Sequence, residues 1–245
     1  MRKALFASVL LAMTAAQATE NLPAYNVYQA PPFVVGSGGL VADVVTYFND
    51  KLKGQYQFKL ETMPRERLNQ TVINNPGFKG VVLLLSPPFV GDQERKKYLW
   101  SASVLDDANA VISSPAKPIE YTGPDSLKGL SFGGVLGNRY MGLEERFGKD
   151  IQRSDVSSEL ANLEKVANGR IDVTLMAHSI YRYLSRQHNL TSKLHLSSKP
   201  HANFSRHIFA AKGEEKLIAV LDQVIAASKQ DPAWTALLAK YNLGN

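Results

Sequence analysis

Residues 80–88 read GVVLLLSPP, and this short stretch decides the class of fold. Val81 to Leu85 are apolar without interruption, and Ser86-Pro87-Pro88 ends the run. A short apolar run that is bounded by turn residues is typical of a strand buried on both faces, as in a parallel sheet. A strand over 55–62, with alternating apolar residues, and a helix over 64–74 are predicted just before it.

The alternation of strands and helices continues on both sides of this run. The predicted strands are 25–29, 130–136, 151–154, 171–176 and 206–211. The predicted helices are 40–54, 138–147, 157–168, 180–187, 214–228 and a last one that begins at Asp231-Pro232. Strands that alternate with helices predict an α/β fold with parallel sheets.

The chain divides into two strand–helix blocks that two segments would join. Residues 110–114 and 204–211 are the expected joining segments. We therefore predict one lobe from 19–112 with 205–245 and a second lobe from 113–204. A chain that crosses to a second lobe and returns forms a cleft between the lobes, and such clefts are preferred ligand sites.

The first eighteen residues, MRKALFASVLLAMTAAQA, have the three parts of a secretory signal peptide. Arg2 and Lys3 form the positive region, an apolar run follows, and Ala16-Gln17-Ala18 is a small-x-small cleavage site. The run is too short to cross about 30 Å of hydrocarbon, which needs about 20 apolar residues. We expect residues 1–18 to be removed and the mature chain to be periplasmic.

Composition excludes several classes of protein. The chain has 245 residues and no Cys, which excludes a disulfide scaffold, a Cys-ligated metal site and a thiol nucleophile. Loss of Arg2 and Lys3 lowers the formal charge from the +6 of the full chain to +4. The remaining basic residues are scattered rather than clustered, so a nucleic-acid partner is not expected.

Several landmarks resemble those of the family 3 extracellular solute-binding proteins, the periplasmic amino-acid-binding type. In chain order they are Pro31-Pro32-Phe33, Gly91-Asp92-Gln93-Glu94-Arg95, Tyr98-Leu99-Trp100-Ser101, Ser126-Leu127-Lys128-Gly129-Leu130 and Asn168-Gly169-Arg170-Ile171-Asp172. The resemblance extends over nearly all of residues 24–245. It implies a two-lobed periplasmic-binding-protein fold, type II-like, that closes on a small solute and delivers it to a membrane permease.

The resemblance also implies a ligand anchor. Arg95 stands at the position whose guanidinium holds the α-carboxylate in amino-acid binders, and a guanidinium suits a carboxylate because it donates two parallel bonds. Two positions depart from the pattern. Pro87-Pro88-Phe89-Val90 replaces a segment that carries Ser or Thr, and Ala177 stands near the usual Asp that pairs with the ligand ammonium. An unpaired ammonium buried there would cost several kcal/mol.

Arginines and a glycine turn are further candidates for the cleft. Arg65 and Arg67 lie at a predicted strand-to-helix junction, and such junctions line the cleft of open α/β sheets. Asn138, Arg139 and Tyr140 follow Gly137 at a predicted helix start, where backbone N–H groups form an anion cradle.

One histidine and three aromatic residues complete the candidates. His178 begins the helix after the 171–176 strand and could form one hydrogen bond to a polar ligand. Tyr28, Phe33 and Tyr140 could stack on a ligand. His195, His201 and His207 recur at six-residue spacing, but this spacing fits no tight metal-ligand pattern, so neither a metal nor a cofactor is predicted.

The function predicted from the sequence is capture of a small polar or anionic solute, amino-acid-like or an organic acid, for an ABC-type transporter. We expect a monomer without catalytic activity, since the G-x-S-x-G, H-E-x-x-H and phosphate-loop motifs are missing from the sequence. Two alternatives remain open at this point. One is a periplasmic enzyme on the same fold, similar to the periplasmic dehydratases, and the other is a ligand-sensing partner of a membrane receptor.

Overall fold

A computed structural model of the protein describes residues 18–140, 142–148 and 152–243. The predicted signal peptide lies outside the described residues except for Ala18. Among the helices of this described part, none is long and apolar enough to cross a membrane.

Strands and helices alternate along most of the described chain as the sequence predicts, but the first strand is Glu20–Asn26 rather than the predicted 25–29, and the strand Leu105–Ser113 is not predicted. The strands are β1 Glu20–Asn26, β2 Tyr56–Thr62, β3 Val81–Leu85, β4 Leu99–Trp100, β5 Leu105–Ser113, β6 Ser131–Val135, β7 Gln152–Val156, β8 Val173–Ala177, β9 His195–Leu196 and β10 Ala202–Ala210. The α-helices are α1 Leu40–Lys51, α2 Arg65–Leu68, α3 Leu143–Phe147, α4 Glu159–Ala167, α5 His178–Gln187, α6 Glu215–Ser228 and α7 Pro232–Lys240.

The sheet has two parallel halves that two long strands join. Its order is β2-β1-β3-β10-β5-β8-β6-β7, with β4 beside β10 and β9 beside β5. The pairs β1–β2, β1–β3, β6–β7 and β6–β8 are parallel, whereas β5 and β10 run antiparallel to their neighbours. The predicted α/β class is confirmed, and the sheet is mixed rather than purely parallel because of these two strands.

The strands β5 and β10 each take part in both halves. β10 pairs with β5 over Ala202–Arg206 and then with β3 at His207 and Phe209. β5 pairs with β10 over Leu105–Asn109 and with β8 over Asn109–Ser113. The two joining segments are therefore longer than predicted. The predicted lobe boundaries, 112/113 and 204/205, fall within these strands and stay a prediction.

The largest buried cluster runs through both halves of the sheet, and each half also has a smaller cluster of its own. The β3 run is buried at every position, as its sequence predicts. On its side of the molecule the Phe209 ring packs at a tilt against the Tyr98 and Trp100 rings, at centroid distances of 4.7 and 4.6 Å. In the other half Phe132, Leu143 and Leu175 share a buried cluster.

Two predicted helices differ from expectation, one in its type and the other in its length. The helix predicted over 64–74 is α2 for one turn and continues as a π-helix over Asn69–Ile73. The helix predicted over 138–147 begins only at Leu143, because Gly142 adopts a positive φ of 84° and the Glu144 carboxylate accepts the backbone N–H of Tyr140 at 2.7 Å. Asn138, Arg139 and Tyr140 therefore lie in a loop, and the predicted anion cradle at a helix start is wrong.

Candidate functional site

A cavity of about 240 Å³ lies where the two halves of the sheet meet. The first half contributes Tyr28 and Phe89, and the joining strands contribute Asn109, Phe204 and Arg206. The described residues of the second half that line the cavity are Asn138, Arg139, Tyr140, Glu159, Leu175, Met176, Ala177, Ile180 and His201. The two halves therefore share one site.

A buried ion pair joins the two long strands beside this cavity. Arg206 of β10 approaches Asp107 of β5 to 2.7 Å, and their side chains are 2% and 3% exposed. Asp107 also accepts hydrogen bonds from the Ser179 backbone N–H at 3.1 Å and from its hydroxyl at 2.7 Å. A buried pair requires such additional partners, because desolvation otherwise costs more than the attraction returns.

Aromatic rings cover the Arg206 guanidinium. Its carbon lies 4.9 Å from the Tyr28 ring centroid, 4.6 Å from that of Phe33 and 5.0 Å from that of Phe204. Its Nη1 also donates to the Tyr28 hydroxyl at 2.7 Å. Cation–π contacts of this kind favour a desolvated guanidinium. Arg206 is thus held as part of the wall of the cavity.

Glu159, the first residue of α4, is an acidic group at the cavity without a matching cation. Its Oε2 is buried and accepts no hydrogen bond from the described residues. Burial raises the pKa of Glu159 to about 7, because desolvation penalises the charged carboxylate. Burial, followed by the charge of Glu159, raises the pKa of Tyr140 to about 12. A neutral Tyr140 and a carboxyl that titrates near neutral pH therefore lie at the same cavity.

Five of the residues predicted for the ligand site lie at the cavity or directly beneath it. Tyr28, Asn138, Arg139 and Tyr140 line it. Phe33 is fully buried and stacks under Tyr28 at a centroid distance of 4.3 Å. Phe33 therefore supports the wall of the cavity.

The two arginines of α2 differ in position. The half-buried Arg65 donates from Nη2 to the carbonyl of Phe89, a cavity residue, and from Nε to Asn69 at 3.0 Å. Burial lowers the pKa of Arg65. Arg67 is exposed and does not line the cavity. Of the two, only Arg65 has a direct link to the site.

Arg95 lies outside the cavity-lining set and is exposed. Its Nη2 is 3.2 Å from Nε2 of His207, whose Nδ1 is 2.8 Å from the Ser101 carbonyl. The carbonyl can only accept, so Nδ1 carries the proton and Nε2 accepts from Arg95. Burial is also the main cause that lowers the pKa of His207. The resemblance implies that the Arg95 guanidinium holds the ligand carboxylate. In the structure this guanidinium instead forms a hydrogen bond to His207.

His178 lines a second cavity of about 400 Å³ together with Asp106, Asp107, Ser179 and Arg182. Burial lowers the pKa of His178, so it is neutral around pH 7. Asp107 lines this cavity and its partner Arg206 lines the first one, so the ion pair separates the two. The structure therefore does not bring His178 to the cavity that holds Tyr28 and Tyr140.

The three evenly spaced histidines have separate partners. His195 contacts Glu120 at 2.8 Å, His201 contacts the Tyr121 hydroxyl at 2.8 Å, and His207 contacts Ser101. Within residues 18–140, 142–148 and 152–243, no group of three or more His, Asp or Glu side chains could hold a metal ion.

Sequence reasoning missed Phe89, Glu159, Phe204 and Arg206 as cavity residues. Arg206 lies in the middle of β10, just before the apolar residues Ile208 to Ala211, and a charged residue so close to a buried run is a signal that it has a buried partner. Glu159 follows Ser158, whose hydroxyl caps α4 at Ala161, so it reads as an ordinary first-turn acid. Only the three-dimensional arrangement reveals its burial.

No protein-family model matches the chain, and no curated protein sequence matches it either. Solved structures match it over most of its length. An ancestral arginine-binding protein bound to arginine has a TM-score of 0.65 at 16% identity, with 92% of this chain and all of the other chain covered. The L-cystine solute receptor of Neisseria gonorrhoeae, in its unliganded open conformation, has a TM-score of 0.67 at 14% identity, covering 93% and 94% of the two chains.

A histidine kinase sensor domain with similarity to periplasmic binding proteins also matches, with a TM-score of 0.67 at 15% identity, covering 91% and 96% of the two chains. These similarities confirm the two-lobed fold that the sequence landmarks predict.

Proposed function

We propose that this chain is a periplasmic solute-binding protein that encloses a small polar solute in the 240 Å³ cavity. The observation that carries the proposal is the origin of the cavity walls. Tyr28 and Phe89 come from one half of the sheet, while Tyr140 and Glu159 come from the other. A solute in contact with both halves would stabilise the closed arrangement, because closure draws its free energy from contacts that both halves make at once.

The similar structures support this function. One is described as bound to arginine and another as a solute receptor for L-cystine, and both share this fold. We propose that the solute is of amino-acid size, that the lobes are 19–112 with 205–245 and 113–204, and that an ABC-type permease receives the solute. The ligand site of this proposal comprises Tyr28, Phe89, Asn138, Arg139 and Tyr140.

A sensory role is the second candidate, because a histidine kinase sensor domain has the same fold. Both roles require binding in the same cavity, so they differ in the partner. Uptake of the identified solute by cells that lack this protein separates them. Lost uptake supports transport, whereas normal uptake with a lost transcriptional response supports sensing.

A thermal-shift screen of residues 19–245 against amino acids, oligopeptides, organic acids and sugars tests the proposal. A solute that binds only the folded state raises Tm by mass action, because at 100 times Kd it stabilises the folded state by about 2.7 kcal/mol. Mass spectrometry after incubation with each hit detects turnover, and conversion of the solute would identify an enzyme on this fold.

A pair of variants locates the binding site. Ala177→Leu adds a larger side chain to the wall of the cavity, whereas Ala226→Leu changes an exposed position of α6. We expect the hit to lose affinity with Ala177→Leu and to keep it with Ala226→Leu. A hit that tolerates both substitutions binds elsewhere, and the absence of any hit would refute the proposed function.

A further inference from the structure

Glu159 gives the cavity a chemical preference. Among the described residues that line it, Glu159 is the one carboxylate. Its Oε2 is buried and lacks a hydrogen-bond donor among the described residues. A buried carboxyl without a partner is costly in either protonation state, since the charged form lacks a cation and the neutral form lacks an acceptor. A cation in the cavity beside this carboxyl would stabilise its charged form and so offset part of this cost.

The cationic side chains near the cavity are already engaged elsewhere. Arg206 forms the buried ion pair with Asp107 at 2.7 Å, so this pair carries no net charge. Arg139 is 79% exposed and lies 3.6 Å from Glu145. Arg65 donates to Asn69 and to the Phe89 carbonyl. The positive charge that would match Glu159 must therefore come from the ligand.

The cavity also lacks the carboxylate anchor of an amino-acid site. Arg95 lies outside the lining set, beside His207. The Phe89 and Phe204 rings, 5.2 Å apart, instead provide an apolar wall of the kind that suits the body of an organic ammonium ion.

We propose that the cavity selects an organic amine that bears a protonated amino group and needs no carboxylate, with Glu159 as the residue that binds the ammonium. This inference rests on the proposed function, since it concerns the ligand class of the same cavity. The ammonium pairs with the carboxyl group of Glu159 from the cavity side, and the carbon body lies against Phe89 and Phe204. The positive charge is then neutralised at Glu159 itself, on the second half of the sheet.

Two sets of related probes test the proposal by isothermal titration calorimetry on residues 19–245. The first set is tyramine, tyrosine and 3-(4-hydroxyphenyl)propionate, and the second is cadaverine, lysine and hexanoate. Each set compares the amine alone, the amine with a carboxylate, and the carboxylate alone. In at least one set we expect the amine to bind at least as tightly as the amino acid. The carboxylate of that set should bind at least about 10-fold more weakly than the amine.

Glu159→Gln keeps the shape of the side chain and removes its charge. We expect this substitution to lower the affinity for the amine about 10- to 100-fold, as loss of a charge-assisted hydrogen bond does. Glu164→Gln lies at an exposed position of the same helix and is the matched control. It should leave the affinity unchanged.

The outcomes separate this inference from the proposed function. If a solute binds in the cavity but its affinity is the same in Glu159→Gln, or if the carboxylates bind and the amines do not, the inference is overturned and the binding function stands. If no probe and no solute of the thermal-shift screen binds, both are overturned.

Discussion

Replacing Glu159 with Gln should change the pH dependence of folding stability in the protein without ligand. Burial raises the pKa of this carboxyl from 4.5 to about 7 in the folded protein. The folded protein therefore keeps the proton between these two pH values while the unfolded chain releases it. Stability falls as pH rises through this window, since the folded state then binds more protons than the unfolded state.

The size of the effect follows from the shift. Each pKa unit corresponds to 1.36 kcal/mol, so wild type should lose about 3 kcal/mol through Glu159 between pH 4 and pH 8. This is an upper figure, because Glu159 begins α4 and the helix dipole favours its charged form. The amide of the Glu159→Gln variant has no proton to release in this range. As pH rises from 4 to 8, the free energy of unfolding of the variant should therefore increase by about 3 kcal/mol relative to that of wild type.

Urea denaturation at pH 4 and pH 8 measures the difference directly. The other titratable side chains are present in both proteins, and Tyr140 stays neutral at both pH values because its pKa is about 12. Glu164→Gln, on the exposed face of α4, should differ from wild type by the same amount at both pH values. An equally constant difference for Glu159→Gln would refute the argument that this carboxyl is desolvated.

Three further substitutions test the ion pair, the exposed arginine and the core. Asp107→Asn leaves the Arg206 charge buried without its partner. It should lower the free energy of unfolding, measured by urea denaturation, by about 3–5 kcal/mol. A loss below about 1 kcal/mol would show that the pair is solvated. Arg95→Ala should leave the affinity for a cavity ligand within about threefold in calorimetry, because Arg95 lies outside the cavity; a 100-fold loss would restore it as the anchor. Phe209→Ala removes a ring that packs against Tyr98 and Trp100 and should cost about 3–5 kcal/mol in thermal or urea unfolding, whereas a cost near zero would contradict the packing.

The sequence predicts the strands and helices best where local pattern and tertiary burial agree. The β3 run is apolar at every position and is buried at every position. The α4 helix, Glu159–Ala167, lies within the predicted range 157–168, and the Ser158 hydroxyl caps its first turn. In such segments the spacing of the apolar residues matches the face that is buried in the structure. The element can therefore be predicted from the sequence alone.

The long strand β5 could not be predicted from its sequence. Its first part, Leu105-Asp106-Asp107-Ala108-Asn109, has two adjacent acids and no apolar alternation. Extended structure is stable there because β10 pairs with every one of these residues and because Arg206 neutralises Asp107. Both contacts join residues nearly a hundred positions apart, and no local pattern contains them.

Contacts between distant residues also explain why Arg95 does not line the cavity, although the sequence landmarks imply that it does. The order of Gly91 to Arg95 along the chain predicts the fold, but the role of Arg95 depends on what its guanidinium meets, and it meets His207 at 3.2 Å. The charge available to a ligand is decided by residues outside every landmark. Asp107 and Arg206 cancel each other within the wall, which leaves the unpartnered carboxyl of Glu159 on the opposite half of the sheet. A few buried charges can therefore change the ligand class while the fold stays the same, since a cavity binds the ion that completes its own unpaired group.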